Sequence, residues 1–176
     1  MKACNLEQKF RCEDTKAIIL LCKANRYSYH SRMIQLDTYL DSREGRLKIR
    51  VINDRDVELL FYIRPNRKGP RISSYFRVPL DGGQKEMASI LKSAVGVIGS
   101  VAKERTVYYN ENVRINIDRV KKLGAFVELE AELRTGTGED RSSRSLRETI
   151  AALGLAREKT VSCSYLDLLL KSGQIS

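Results

Sequence analysis

The sequence predicts an α+β fold in which short antiparallel strands, closed as a barrel or stacked as a sandwich, carry flanking helices. Eight segments are strand-like, and several of them alternate hydrophobic with polar residues, which is the period-2 pattern of strands with one buried face. Most of these segments are separated by connections of hairpin length. Only four segments repeat their hydrophobic residues at helical spacing, so we expect the sheet to form the body of the molecule.

The eight predicted strands are distributed along most of the chain. The pattern is clearest in RINID, residues 114–118, where charged and amide side chains alternate with isoleucines. A tight turn at residues 121–124 then leads into FVELEAE, residues 126–132, in which three glutamates share one face. The predicted strands are residues 4–12, 34–40, 45–52, 57–64, 72–79, 101–109, 112–119 and 125–133.

Each predicted helix has a residue type that marks one of its ends. Asp14 or Thr15 can cap the first helix, and Gly96 follows the hydrophobic stripe of the second. Ser164 and Asp167 have the spacing of a capping box at the start of the last. The predicted helices start near residue 14, after the turn at residues 81–83, at residue 143 and at residue 165, and their stripes are expected to cover the sheet.

Length and composition bound the architecture and the partners. With 176 residues, 42% of them hydrophobic, the chain can bury one core and is short for two, so a single domain over residues 1–176 is expected. The 32 Lys and Arg residues outnumber the 22 Asp and Glu residues and give a formal charge of +10. A basic excess of this size favours polyanionic partners, which are nucleic acid, polyphosphates or an anionic membrane surface.

The four cysteines do not predict a zinc site, because they include no C-x-x-C pair and only His30 could join them. His30 is instead expected at the surface, near the end of the first helix. The hydrophobic run at residues 17–22 is too short to span a bilayer, and the charges within residues 1–10 leave no room for a signal peptide. We therefore expect a soluble, cytoplasmic protein with reduced thiols and no membrane partner.

Basic side chains recur on the polar faces of several predicted strands. Lys9 and Arg11 share such a face in the first strand, and so do Lys103 and Arg105 in the sixth. A sheet with one water-exposed face would show the same alternation on any single strand. Like charges on neighbouring strands repel, however, so several basic strands beside a strand of glutamates suggest an anionic ligand shared inside a closed sheet. A triphosphate with its metal ions would fill that role.

Seven short motifs, in their order along the chain, carry a resemblance to a known family. They are N-x-E-x-K at residues 5–9, Q-x-D-x-Y at 35–39, RLKIR at 46–50, K-x-R at 103–105, R-x-N-x-D at 114–118, G-x-F-x-E-x-E at 124–130 and SYLDLL at 164–169. This sequence resembles the CYTH superfamily, also called triphosphate tunnel metalloenzymes. That group includes class IV adenylyl cyclases, thiamine triphosphatases and inorganic triphosphatases. The resemblance covers residues 4–170, and its specificity lies in the order of the motifs.

The resemblance implies an eight-stranded antiparallel β-barrel, the triphosphate tunnel, with flanking helices. Carried over by position, its metal ligands are Glu7, Glu128 and Glu130, which would hold Mg²⁺ or Mn²⁺. The residues expected to bind the triphosphate are Lys9, Lys48, Arg50, Lys103, Arg105 and Arg114. The residues expected to act in catalysis are Glu130, Lys9 and Asp118, where Asp118 would orient a basic side chain or join the metal shell. Asp118 could instead form a plain ion pair across the strands.

The resemblance also implies the reaction. In a class IV adenylate cyclase the ribose hydroxyl of ATP attacks the α-phosphorus, giving cyclic AMP and pyrophosphate, whereas in a triphosphatase water attacks the terminal phosphorus. The same tunnel could serve either reaction on a nucleoside triphosphate, an inorganic triphosphate or another polyphosphate. The sequence shows no nucleoside pocket that would separate them. A homodimer is compatible with this expectation.

Several departures from the family pattern keep two other functions open. Asn5 replaces the first glutamate of the opening motif, residues 71–77 contain none of the glutamates usual in the fifth strand, and Arg119 and Lys121 lie where acidic residues are common. Each change removes negative charge from the tunnel or its rim, which weakens metal binding. One alternative is therefore a non-catalytic domain that binds polyphosphates or nucleotides.

The other alternative is a basic RNA-binding protein, which we favour least. It is supported by the charge of +10, by the basic loop RPNRKGPR at residues 64–71, and by Tyr75 and Phe76, which could stack on bases. The preferred interpretation of that loop is a solvent-exposed hairpin connection.

Overall fold

Eight strands form the centre of the molecule in the computed structural model, which describes residues 2–133 and 138–174. The strands are β1 (Lys2–Cys12), β2 (Ser28–Leu40), β3 (Arg46–Ile52), β4 (Asp56–Ile63), β5 (Arg71–Pro79), β6 (Val97–Asn110), β7 (Val113–Val120) and β8 (Gly124–Glu132). They close into a barrel in the order β1-β5-β4-β3-β2-β6-β7-β8, and all neighbours are antiparallel. A closed barrel leaves no unpaired sheet edge.

Four α-helices flank the barrel in the described part of the chain. They are α1 (Thr15–Ala24), α2 (Gln84–Val95), α3 (Gly138–Ala152) and α4 (Tyr165–Lys171), and a short 3₁₀ turn, Leu155–Arg157, follows α3. Asp14 caps α1, and Ser164 and Asp167 form a complete capping box at α4, as the sequence predicted. Among the described residues no helix is both long and apolar enough to cross a membrane.

The hydrophobic core lies between the outside of the barrel and two of the helices. Helices α1 and α3 cover the outer faces of β1, β7 and β8, and the buried residues there include Phe10, Ile115, Leu129, Leu146 and Leu153. Full burial of one such side chain stabilises the fold by about 1.5–3 kcal/mol. The outward-facing side chains of β1, β7 and β8 therefore pack against these helices, and the inward-facing side chains of the strands are left for the barrel interior.

A second cluster closes one end of the barrel. Tyr165, Leu166 and Leu169 of α4 pack there with Phe126 of β8 and Val101 of β6. Helix α4 is fixed further by an ion pair of 2.8 Å between Arg46 on β3 and Asp167. The barrel end at which β3 begins is thus capped by α4.

Every predicted strand and helix is present, and the differences concern boundaries and packing. Strand β2 begins at Ser28 and β6 at Val97, both earlier than predicted. His30 therefore lies in β2 and not at the end of a helix; it is exposed, and its ring meets Tyr109 edge-on at 5.4 Å. The predicted cover by α2 is wrong, because no residue of α2 is buried and Ile90 is 61% exposed.

Candidate functional site

The barrel encloses a charged cavity of about 110 Å³ to which all eight strands contribute side chains. Because strand residues point alternately inward and outward, the polar parity of each strand faces this space. Eight of the lining residues are basic and three are acidic. The basic ones are Lys9, Lys48, Arg50, Arg64, Arg77, Lys103, Arg105 and Arg114, and the acidic ones are Glu7, Glu128 and Glu130.

One wall of the cavity is organised around Asp37, which is 1% exposed. Its carboxylate accepts hydrogen bonds from Lys48 at 2.7 Å, from Arg50 at 2.6 and 2.9 Å, and from Lys103 at 3.2 Å. Burial raises the pKa of Asp37, but Arg50, Lys103 and Lys48 outweigh it and hold that pKa well below its ordinary value. Burial also lowers the pKa of Lys103 to about 8, although Asp37 opposes the shift. This wall is a positively charged surface held in place by one carboxylate.

Arg105 is held in place by Asp118. Two hydrogen bonds of 2.6 Å join the Arg105 guanidinium to the Asp118 carboxylate, and the Tyr165 hydroxyl donates to the same carboxylate at 2.8 Å. Asp118 is 0% exposed and lies opposite Arg105 on the inward parity of β7, although it is not among the residues that line the cavity. Its geometry matches orientation of a basic side chain, which is one of the roles the sequence left open. It leaves no carboxylate oxygen directed at the cavity for a metal ion.

Glu7 is enclosed by two arginines that the sequence did not assign to the site. Arg64 donates to the Glu7 carboxylate at 2.5 Å and Arg71 donates at 3.2 Å, while Arg71 also donates to the carbonyl of Val161 at 2.9 Å. Arg64 is 8% exposed and Arg71 is 1% exposed. The expectation that residues 64–71 form a solvated loop is therefore wrong for both ends of that segment. Strand parity was the available signal, since Leu60, Tyr62 and Arg64 all line the cavity.

The two glutamates of β8 differ in their surroundings. Glu128 is bonded to Lys9 at 3.1 Å and to Arg105 at 3.2 Å, and these cations hold its pKa well below the ordinary value against the opposing effect of burial. Glu130 makes no hydrogen bond or ion pair with any described residue. Burial raises the pKa of Glu130, and neighbouring Arg114 only partly opposes this. Among the acidic residues that line the cavity in the described structure, Glu130 is thus the one without a direct ion-pair partner.

The donor set can be tested for a divalent cation. Mg²⁺ is usually held by one or two carboxylates together with substrate phosphates and water. Glu130 fits that requirement, because it has no ion-pair partner among the described residues. Glu7, which is paired with Arg64 and Arg71, and Glu128, which is paired with Lys9 and Arg105, are already neutralised and do not fit it. The described residues hold no cluster of three or more His, Cys, Asp or Glu that would form a metal cage by itself.

The structure brings nine of the ten predicted site residues to the cavity wall, and the tenth, Asp118, is bonded to Arg105 without lining the cavity. The departures from the family pattern fall into two groups. Asn5, Ser73 and Tyr75 line the cavity. The cavity therefore holds fewer carboxylates than the family pattern predicts. Arg119 points outward and donates to the Thr15 hydroxyl at 2.6 Å, so its charge does not enter the cavity.

The RNA-binding alternative loses its proposed surface. Tyr75 lines the cavity, whereas Phe76 is on the outside and 46% exposed, so the two rings cannot form one stacking platform. The two arginines at the ends of the basic loop are bonded inside the barrel.

A closed antiparallel barrel with a strongly basic interior defines a class of protein built to enclose a small polyanion. The comparisons with known proteins agree, since the sequence profile of the CYTH domain matches residues 3–165. The chain belongs to the CYTH domain family.

Individual relatives are distant in sequence and similar in length and shape. A candidate adenylate cyclase of Methanocaldococcus jannaschii is 23% identical over 171 residues, with 93% of this chain and 97% of the relative covered. The solved structure of the PH1012 protein of Pyrococcus horikoshii OT3 superposes with a TM-score of 0.78 at 19% identity, covering 93% of this chain and 98% of that one. A candidate adenylyl cyclase of Hippeastrum, described as having a dominant triphosphatase activity, gives a TM-score of 0.66 at 18% identity, covering 98% and 97%.

Proposed function

We propose that this protein is a metal-dependent enzyme that processes a triphosphate inside its barrel, either as an adenylate cyclase or as a triphosphatase. The observation that carries the proposal is the set of eight basic side chains converging on one cavity. Positive groups enclosed by low-dielectric walls attract and hold a polyanion far more strongly than the same groups in water. The names of the relatives from Methanocaldococcus jannaschii and Hippeastrum support the two reactions.

The chain's own residues would bind and orient the phosphate chain. Arg50 and Arg114 can each present two parallel N–H groups to phosphate oxygens, whereas a lysine acts as a point charge. Arg105 can offer only Nη1, because its Nε and Nη2 already donate to Asp118 and Glu128. Asp37 and Asp118 hold several of these cations in place before the ligand arrives. Positioning and charge neutralisation account for most of the catalysis of phosphoryl transfer, so a wall fixed in advance is an effective arrangement.

A divalent ion, Mg²⁺ or Mn²⁺, would be held by Glu130 together with substrate phosphates and water. When bound, such an ion neutralises phosphate charge and activates the attacking oxygen. Lys9 contacts Glu128 at 3.1 Å and lies 3.9 Å from the centre of the Tyr165 ring. The Lys9 ammonium is therefore placed to neutralise negative charge that develops on the phosphate chain next to Glu128. This is the catalytic role we assign to Lys9.

A non-catalytic polyphosphate-binding or nucleotide-binding domain is the second candidate function. It is favoured by Asn5, which faces the cavity in place of the first glutamate of the family pattern. Ser73 and Tyr75 also face the cavity, from the fifth strand, in which residues 71–77 contain no glutamate. Fewer carboxylates reduce the affinity for metal and with it the capacity for turnover. A cytoplasmic location, a homodimer and the lack of nucleic-acid binding stay predictions.

One assay separates these functions. Purified protein is incubated in turn with ATP, thiamine triphosphate and tripolyphosphate, each with Mn²⁺ or Mg²⁺, and the products are separated by chromatography. Cyclic AMP with pyrophosphate identifies a cyclase, and orthophosphate identifies a triphosphatase. Binding without product supports the non-catalytic domain, and neither binding nor product contradicts the proposal.

A further inference from the structure

The negative charge of the Glu7 carboxylate is already neutralised by two arginines, as it would be by a bound metal ion. Arg64 and Arg71 contact it at 2.5 and 3.2 Å, and all three side chains are at least nine-tenths buried. A divalent ion at Glu7 would have to displace Arg64 and then lie beside two buried guanidinium groups. Like charges brought together away from water repel strongly, so this exchange is unfavourable.

These two arginines, and Arg114, have buried hydrogen-bond donors that no acceptor in the described structure satisfies. Nε and Nη2 of Arg64, Nη2 of Arg71 and Nε of Arg114 are buried and have no hydrogen-bond partner among the described residues. Arg64 and Arg114 line the cavity. A buried charged donor without an acceptor is costly, and an anion in the cavity would supply the acceptor.

The charge of the tunnel points to the same kind of ligand. When Arg71, Asp37, Asp118 and Glu58 are included because each contacts a lining residue, nine basic groups face six acidic groups. The formal excess is three positive charges without any metal ion. This excess has the sign and size that an ionised linear triphosphate chain can balance.

We propose that Arg64 and Arg71 take the place of a metal ion at Glu7, so that the tunnel binds a linear triphosphate or longer polyphosphate chain without divalent metal. The ion at Glu130 is then required for turnover and not for binding. This inference rests on the proposed function, because it concerns the same tunnel and the same class of substrate. It also replaces the sequence-based assignment of Glu7 as a metal ligand.

The first test is calorimetric titration of the protein with sodium tripolyphosphate, once in excess EDTA and once in Mg²⁺. The inference expects saturable binding in both, with dissociation constants that differ by less than about tenfold. Binding in Mg²⁺ that is lost in EDTA would overturn it. Lack of binding under both conditions would contradict the proposed function itself, so the two failures are distinguishable.

The second test is the variant Glu7→Gln, which keeps the side-chain shape and removes the charge. Two guanidinium groups then become free for phosphate, so the affinity for tripolyphosphate in EDTA should rise by about tenfold. If Glu7 were a metal ligand, the variant would leave binding in EDTA unimproved and weaken binding in Mg²⁺. That outcome would overturn the inference.

The matched control is Glu104→Gln, which removes the same charge at the surface, where Glu104 pairs with Arg32 at 2.8 Å. It should leave the affinity unchanged, because surface charge is screened by salt. An equal gain in both variants would show a general charge effect and overturn the role assigned to Arg64 and Arg71.

Thermal unfolding followed by circular dichroism identifies a Glu7→Gln sample that is not folded. In that case Arg64→Lys replaces it, and the expectation is weaker binding in EDTA, with unchanged binding counting against the inference.

Discussion

The two walls of the tunnel satisfy their charges in different ways. On the wall formed by β2, β3 and β6, Asp37 accepts hydrogen bonds from Lys48, Arg50 and Lys103. On the wall formed by β1, β5, β8 and the end of β4, Glu130 lacks an ion-pair partner among the described residues, and the arginines around Glu7 have donors without an acceptor. The cations of the first wall are already paired with Asp37 without a ligand. In the described part of the chain, the second wall lacks acceptors for the free donors of its arginines and a counter-ion for Glu130, so we expect a bound triphosphate and a metal ion to change the second wall more than the first.

The largest effect, on the free energy of unfolding, is expected from Asp37→Asn, which removes the carboxylate that pairs with the cations of the first wall. Three cations would then be buried with a neutral amide, and removing one partner of a buried ion pair costs about 3–5 kcal/mol. The free energy of unfolding in urea should fall by that amount. Tripolyphosphate should restore more stability to the variant than to the unmodified protein, because the anion supplies the missing negative charge. An unchanged unfolding curve would mean that Asp37 does not organise this wall.

The next largest effect is expected from Glu130→Gln on the second wall, and it concerns turnover. Loss of the carboxylate that has no other partner should reduce kcat by about 100-fold or more, since the ion it holds serves the transition state. The fold should be intact, because no hydrogen bond to a described residue is lost. Turnover is measured with the substrate that the product assay identifies, and circular dichroism checks the fold. Normal turnover would show that Glu130 is misassigned.

A smaller effect is expected from pH, through Lys103. Burial lowers its pKa in the folded protein to about 8 from the ordinary value of 10.5, so the lysine loses its proton in the free protein as the pH rises past 8. A bound anion favours the charged form, so affinity for tripolyphosphate should fall by about tenfold between about pH 7 and pH 9. Because the pKa of Lys103 is lower in the folded protein, the unfolded chain binds this proton more tightly. The contribution of Lys103 to the free energy of unfolding therefore increases as the pH rises from 8 towards 10.5.

Lys103→Arg is the control for this pH dependence. An arginine stays charged throughout, and the ionisation of the ligand is the same for both proteins. The variant should therefore show a flatter affinity profile than the unmodified protein. Identical profiles would place the titrating group elsewhere.

The sequence predicted which face of each strand carries the site, because parity alone sorts the side chains of a strand. It could not predict which charges meet, since partners across strands depend on register. Asp118 could have paired with Arg114 or with another neighbour, and the register placed it opposite Arg105. Closure into a barrel, and not a sandwich, came from the resemblance, because alternation is the same in both architectures.

Arg64 and Arg71 were missed for a different reason. They lie at the ends of a segment rich in Pro, Gly and charge, and that composition usually marks a solvated loop. Their burial depends on Glu7 of a distant strand. Helix α2 shows the opposite error, since its stripe predicted an amphipathic helix correctly and could not show that its apolar residues remain exposed.

The central claim is that basic side chains inside the barrel, and not the overall positive charge, bind the phosphate chain. The most direct measurement compares tripolyphosphate affinity by calorimetry in two double variants that lose the same charge. Lys9→Gln with Lys103→Gln removes two buried lysines, which are 3% and 5% exposed, and Lys16→Gln with Lys23→Gln removes two exposed ones on α1. We predict a loss of about 100-fold or more for the interior pair and almost none for the exterior pair. Equal losses in both variants would contradict the claim.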